Sequence, residues 1–495
     1  MSILFIQKNN GFILELGILL SVLKENGVTV HILFEEIEKE ALHSKIKKIR
    51  PLLIGVYGDY NELYKQENFY SYMDIFSKIK KNFNEIPLFV GGIHSTVNLD
   101  LLKQYEFIDV AFVGDMENSI LMLIKSIKDK TPIDNVEGVI FRNGDRIISN
   151  KNVVRTNLAK LPLPDIDSFL VDSGAFRYGH RINPGRDCPN SCAFCINHVI
   201  KHNTDIGSKG LPRYYPVDYL IAVVKLYYEK DPTCNVIYFT YSNFTYDKKF
   251  FFELSEKFRD EIYKKYGITY LCATRIERVD EEIAEMLKES GCSKVTVGLE
   301  TGNERLRIDV LKKHLTNQQI VDGMKALKKY NLRVGAGLMF GIPDETIDNA
   351  FETLDFCRKV GIDFFSIGFF SPVPGLDLTK YAIEKGYLDK SYSHTDYSIF
   401  NVNINIENKK QILNLLKLWP LYNLFPQRLL FKILINLPLT RLYHIVYCMP
   451  RIKGVLKYDI RRENMHEKIR YLSYSLFTAF KGERPYTFDP QKNRR

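Results

Sequence analysis

The chain of 495 residues lacks most features of secreted, membrane-spanning or disordered proteins. No uninterrupted apolar run reaches the roughly 20 residues that a spanning helix needs. The opening MSILFIQKNN has no basic stretch followed by a long apolar core, so no signal peptide is expected. Of eight cysteines, five stand singly, at Cys234, Cys272, Cys292, Cys357 and Cys448, and there is no second Cys-x-x-Cys pair. That argues against a disulfide framework and against a second metal cluster. It fits a reducing compartment, so a cytoplasmic location is expected. Charge of one sign is not in large excess either. A net +10 over this length describes a solvated surface, and no nucleic-acid partner is expected. What is present is apolar material: 45% hydrophobic residues suffice for the cores of two or three domains.

The three remaining cysteines are concentrated in Cys188-Pro-Asn-Ser-Cys192-Ala-Phe-Cys195, a Cys-x3-Cys-x2-Cys spacing. Iron–sulfur clusters are held by thiolates, and a 4Fe-4S cubane normally takes four. Three ligands leave one iron open, as catalytic metal sites keep a position free for substrate. Spacing alone also allows a zinc site made from the three cysteines and His198.

The surroundings of the motif decide between these. Residues 1–132 alternate strand-like runs (Ile3–Ile6, Val28–Phe34, Leu52–Tyr57, Pro87–Val90, Asp109–Val113) with helical spacing, as in Leu14–Lys24 and Tyr70–Lys81. This predicts a Rossmann-like, doubly wound parallel sheet with ligands at the strands' carboxyl ends. Gly91-Gly92-Ile-His94-Ser95-Thr96 and Gly114-Asp115-Met-Glu117 fall at two such ends. Residues 133–175 read as a connector, with a hairpin around Asn143-Gly144 and an extended Leu161-Pro-Leu-Pro-Asp165. From 176 to 390, six strand-like runs near 181–185, 236–240, 268–274, 294–300, 333–340 and 364–370 predict a partial (β/α)6 barrel. The cysteine motif follows the first of them, at the end where barrels place catalytic residues. A zinc finger explains none of this. Residues 391–495 read as a small helical region, rich in Leu, Phe, Tyr and Ile and broken by prolines; core packing accounts for its apolar content, and membrane contact is not expected. The tail Gln491–Arg495 is expected to be disordered.

The cysteine motif resembles that of the radical S-adenosylmethionine (SAM) superfamily, with Phe194 where that family places an aromatic residue. Further segments resemble it in order along the chain. Arg275 ends the third barrel strand; Gly298-Leu-Glu300-Thr301-Gly302 looks like the family's GxES; Gly341-Ile342-Pro343-Asp344-Glu345-Thr346 looks like GLPGET; and Ser371-Pro372-Val-Pro374-Gly375 looks like TPxPGT. The N-terminal glycines are similar to the GGxHxT and GEGE segments of the branch with a cobalamin-binding-type domain.

The resemblance implies a 4Fe-4S cluster on Cys188, Cys192 and Cys195, with SAM chelating the open iron and yielding a 5′-deoxyadenosyl radical. It implies SAM contacts from Phe194, Arg275, Gly298, Glu300, Gly341 and Pro343, and cobalamin bordered by Gly91, Gly92 and Gly114. The implied activity is a cobalamin-dependent methyltransferase acting on an unactivated carbon of a small-molecule or peptide substrate, fed by an electron donor such as flavodoxin or ferredoxin. Alternatives are a radical SAM enzyme that rearranges, cyclises or oxidises without methyl transfer, and a non-catalytic iron–sulfur protein. Two departures stand out. No Asp-x-His-x-x-Gly offers a lower cobalt ligand, and Tyr241-Ser242-Asn243-Phe244 replaces the usual DDxF carboxylates.

Overall fold

Alternation along the first strand sends Ile3 and Phe5 to one face and Leu4 and Ile6 to the other, each into its own buried cluster. The computed structural model describes residues 1–447, except 10, 36–41, 59–65, 151, 154, 172–174, 177–178, 205–211, 374, 391, 393–403 and 440–441. The tail expectation for 491–495 lies outside the described residues, as does Pro374.

Five parallel strands, β1 (Ser2–Gln7), β2 (Thr29–Phe34), β3 (Leu53–Gly58), β4 (Leu88–Gly92) and β5 (Val110–Phe112), pair in the order 2-1-3-4-5. The switch in strand order between β1 and β3 is where such sheets open a crevice. The hairpin of β6 (Val139–Asn143) and β7 (Arg146–Asn150) does not act as part of a linker. It pairs antiparallel to β5 and extends the sheet to seven strands, because Val139 and Phe141 supply apolar residues to the same cluster as β1.

The helix Leu14–Glu25 is apolar on nearly all sides, the pattern of a helix buried on every face. Leu16, Leu19, Leu20 and Leu23 pack on the N-terminal sheet, whereas Leu14, Ile18 and Val22, four residues apart, belong to the core of the second sheet. This helix joins the two sheets into one packed body.

The second sheet holds β8 (His180–Ile182), β11 (Val236–Phe239), β12 (Thr269–Thr274), β13 (Cys292–Glu300), β14 (Val334–Phe340) and β15 (Phe364–Phe369), all parallel and paired in chain order. A two-stranded ribbon of β9 (Gly185–Arg186) and β10 (Arg213–Tyr214) sits beside it. β8 and β15 do not pair, so the barrel is open. The helix Lys409–Leu424 packs next to β15: Trp419 meets Phe365 edge to face at 4.9 Å, and the Tyr422 hydroxyl donates to Asp355 at 2.8 Å. Among the described residues no helix is long and apolar enough to cross a membrane.

Candidate active site

The cysteine loop begins two residues beyond β9 and is pinned from both sides. The Ala193 N–H donates to the Leu311 carbonyl and the Leu378 N–H to the Ala193 carbonyl, each at 3.0 Å. Phe194 is partly buried against the barrel core. Cys195 stands at the N-terminal end of the helix Ile196–Asn203, and the Asn197 N–H is bonded to its sulfur. Burial pushes the Cys195 thiol up to about 12, with Cys188 and Cys192 adding to the effect. Burial also raises Cys192, opposed by the charges of Lys313 and Arg275.

These sulfurs already have donors. Asn243 Nδ2 donates to Cys188 Sγ at 3.2 Å, and Arg275 Nη1 stands 3.6 Å from Cys192 Sγ. A metal-bound thiolate cluster is anionic, and donors of this kind are what tune and stabilise it. The donor set therefore fits an iron–sulfur cluster. Among the described residues no three His, Cys, Asp or Glu side chains converge for a single ion. A cubane asks for something different, because each cysteine takes a different iron. The zinc alternative needs the three cysteines and His198 on a single ion, and these residues do not converge in that way.

The departure at Tyr241-Ser242-Asn243 acquires a physical reading. The Tyr241 hydroxyl donates to the Asp187 carbonyl at 2.7 Å, and Asn243 accepts from Asn190 Nδ2 at 3.1 Å while donating to Cys188. The segment supports the cysteine loop in place of offering charge.

Glu300 ends β13 with φ +66°, beyond a register irregularity at Gly298/Glu300. Buried Lys313 donates to Glu300 Oε1 at 2.9 Å and to the Gly298 carbonyl at 2.6 Å. A Cβ at position 298 would stand 2.6 Å from Glu300 Oε1 and 2.7 Å from Lys313 Nζ, so any larger residue would push this ion pair aside. Lys313 has no counterpart in the sequence reading; a lone lysine fifteen residues past a glycine carries no motif. Arg275 pairs through Nε with Glu277. A cavity of about 370 Å³ is lined by Asn190, Ser191, Cys192, Arg275, Glu277, Arg278, Lys312, His314 and Gln319.

At the end of β14, Gly341 takes φ +72° and presses against the Phe369 ring. Its N–H donates to Glu345 Oε2 at 2.6 Å. Asp344, next to Pro343, accepts from the Tyr381 and Tyr387 hydroxyls at 2.6 and 2.7 Å. Thr346 caps the helix Ile347–Lys359, reciprocally with Asn349. Burial lifts Glu345 to about 8, against the Gly341 and Ile342 N–H bonds that favour its charge. The unfolded carboxyl ionises near 4.5, whereas the folded one keeps its proton to about 8. Stability therefore falls as pH rises through that window, by about 4–5 kcal/mol at the upper end. In denaturant unfolding at pH 5 and pH 8, Glu345→Gln is expected to lose this decline; equal pH dependence in both chains would contradict it.

On the N-terminal sheet, Gly92 has φ +87°, and a Cβ there would lie 2.5 Å from the Gly58 carbonyl. Gly91 abuts Met116 and Gly114 abuts Val153. Thr96 Oγ1 donates to the Gly92 carbonyl at 2.8 Å and accepts the Gly114 N–H at 2.9 Å, binding the two loops together. These loops face the cysteine-motif helix: Asn203 Nδ2 donates to the Thr96 and Val97 carbonyls at 2.9 and 3.0 Å. Arg186, two residues before Cys188, bonds Asp115 at 2.9 Å and Glu117 at 2.6 Å, and Arg213 bonds Asp115 at 2.6 Å. Burial alone would raise the Asp115 carboxyl, but these guanidinium groups and the Thr156 N–H hold it at about 2.

An open parallel barrel with three cysteines in the loop after its first strand defines a class of protein, and comparison with known families gives it a name. The Radical SAM superfamily model matches residues 182–357, and the chain carries that superfamily's domain. An uncharacterized methyltransferase of Pyrococcus horikoshii is 25% identical over 350 residues, covering 69% of this chain and 72% of that protein. The radical SAM methyltransferase TsrM of Kitasatospora setae, solved with cobalamin and a 4Fe-4S cluster, has a TM-score of 0.64 at 16% identity, covering 82% of this chain and 84% of its own. The cobalamin-dependent SAM radical enzyme OxsB has a TM-score of 0.61 at 16% identity, covering 97% of this chain and 72% of its own. At these identities the structural likeness is one of fold, a doubly wound domain ahead of a radical SAM barrel.

Proposed function

We propose that this chain is a cobalamin-dependent radical SAM methyltransferase that places a methyl group on an unactivated carbon. One observation carries the reading: the glycine loops of the N-terminal sheet and the cysteine loop of the barrel lie at the same domain boundary, joined by Asn203, Arg186 and Arg213. Groups held at the carboxyl ends of both sheets would thus lie toward the same boundary. When bound, the cluster and SAM supply a hydrogen-abstracting radical, and cobalamin supplies a transferable methyl group.

The chain's own residues do the rest. Cys188, Cys192 and Cys195 hold the cluster, with Asn243 and Arg275 donating toward their sulfurs. Phe194, Glu300 and the Gly341–Pro343 turn hold SAM, and Gly298 gives the room in which Lys313 fixes Glu300. Gly91, Gly92 and Gly114 border cobalamin, with no histidine offered to cobalt. Electrons come from a donor such as flavodoxin or ferredoxin.

The second reading, radical chemistry without methyl transfer, draws on the same glycines. Gly91, Gly92 and Gly114 all have reasons within the chain's own packing, which a scaffold domain would share. Product analysis with SAM and reduced cobalamin separates the two. The proposal expects S-adenosylhomocysteine beside 5′-deoxyadenosine; 5′-deoxyadenosine alone would favour the second reading.

A further inference from the structure

Two cations in the cavity beside Cys192 are left over from the chemistry assigned so far. The lining carries Arg275, Arg278 and Lys312 against one carboxylate, Glu277. Arg275 pairs with Glu277, and Lys313 and Arg275 are the cations that act most on the Cys192 sulfur. The same two therefore meet the negative charge of a thiolate-held cluster. Arg278 and Lys312 have no such task. Among the described residues neither side chain has a carboxylate partner, and both are exposed in the same lining, as is His314.

Both positions are fixed by the fold. Lys312 takes φ +51°, in the left-handed region that favours glycine, and a side chain is kept there only where its surroundings enforce it. Here they do so through Arg307, a fully buried guanidinium that donates to the Leu315 carbonyl at 3.0 Å and to Asn317 Oδ1 at 2.6 Å. The Lys313 N–H returns to the Arg307 carbonyl at 2.9 Å. The loop thus sends Lys313 inward to Glu300 and leaves Lys312 and His314 outside. Arg278 ends the turn Ile276–Arg278 after β12, and its guanidinium stands 5.0 Å over the Tyr246 ring, a contact that holds it without neutralising it. The two loops are also locked to each other. The helix Asn317–Lys329, which follows the lysine loop, packs so closely on this turn that a Cβ at Gly323 would lie 2.5 Å from the Ile276 carbonyl.

We propose that Arg278 and Lys312 bind an oxyanion, carboxylate or phosphate, of the molecule on which the radical acts. The inference rests on the proposed reaction for its substrate, but the anion site itself does not depend on methyl transfer. A guanidinium offers a planar fork of N–H donors and an ammonium a mobile point charge, a combination that can grip an oxyanion from two sides. The cavity of about 370 Å³ has the size of a small-molecule site. Such sites are mainly apolar, whereas this one is lined by charged and polar side chains around Cys192. That composition suits a small charged molecule, and anchoring its anionic end here sets the rest of it beside the cysteine loop.

Equilibrium dialysis of the reconstituted full chain against labelled inorganic phosphate, with SAM present to occupy the open iron, tests the site. Phosphate should bind saturably below about 10 mM. Displacement by acetate at similar concentration would mark a carboxylate as the natural group, and resistance to acetate a phosphate. Arg278→Gln and Lys312→Gln should each weaken phosphate binding about tenfold, with unchanged iron content reporting that the chain is folded. No saturable binding, or equal binding in wild type and both variants, would overturn the proposal. So would variants that keep phosphate affinity but take electrons more slowly from flavodoxin, which would assign the charges to docking of an acidic electron donor. Formation of 5′-deoxyadenosine by the wild-type chain in the same preparation gauges the radical chemistry separately. SAM cleavage without phosphate binding removes the anion site and leaves the reaction standing; phosphate binding without SAM cleavage does the reverse.

Discussion

Cys192→Ala protein reconstituted with iron and sulfide should hold less than about one iron per chain, against about four in the wild type, and should not cleave SAM. Two remaining thiolates cannot retain a cubane that already has one open iron. The Cys192 sulfur is also buried, and Arg275 and Lys313 direct positive charge at it. Removing the sulfur leaves those cations facing a void. Cys234→Ala is the matched control, a buried thiol at the far end of the same barrel, and it should keep full iron content. A Cys192→Ala chain that still cleaves SAM would remove the motif from the chemistry. A wild-type chain that holds iron but leaves SAM intact would favour the non-catalytic iron–sulfur reading raised by Tyr241 and Ser242.

Arg186→Met should produce the largest loss of stability of any single change away from the cysteines. Arg186 is enclosed with Asp115 and Glu117, all three side chains at most 14% exposed. Removing it leaves two buried carboxylates with Arg213 alone to offset them. Breaking a buried ion pair from one side costs about 3–5 kcal/mol, because the remaining charge is uncompensated. Adding Asp115→Asn and Glu117→Gln to Arg186→Met should restore much of this, since the neutral trio carries no orphaned charge. Acid tests the same network. Asp115 ionises near 3.8 when unfolded and near 2 when folded, so its contribution of about 2 kcal/mol is present above pH 4 and is lost as pH falls toward 2. Denaturant unfolding of the single and triple variants at pH 7 measures both effects. A triple variant no more stable than Arg186→Met would show that the network is not held by charge compensation.

The sequence carried much of this fold because its signals are local. Short apolar runs between stretches of helical spacing marked β1, β4 and β5, and the glycines at 92 and 341 fell where φ is positive. Thr346 at the end of the same segment caps the helix that follows. Less visible was anything that depends on pairing across distance. The hairpin at Asn143-Gly144 was legible as a hairpin, but its attachment to β5 depends on a free sheet edge that no local pattern records. Lys313 reaches Glu300 through a loop, and Arg186 meets Asp115 across 71 residues. Tyr241-Ser242 reads in sequence only as a loss of charge, and nothing local records that the neighbouring Asn243 amide donates to the Cys188 sulfur. The exposed face at 424–442 was expected to be core. The same leucine content serves either purpose, and only the packed structure shows which side chains remain outside.

The central claim is that this barrel and the domain before it hold two metal cofactors for one reaction. Metal analysis after anaerobic reconstitution with iron, sulfide and hydroxocobalamin, followed by desalting, tests it most directly. The account predicts about four irons and about one cobalt per chain. Iron without cobalt would contradict it, leaving the N-terminal sheet as a scaffold and radical chemistry without methyl transfer as the better description.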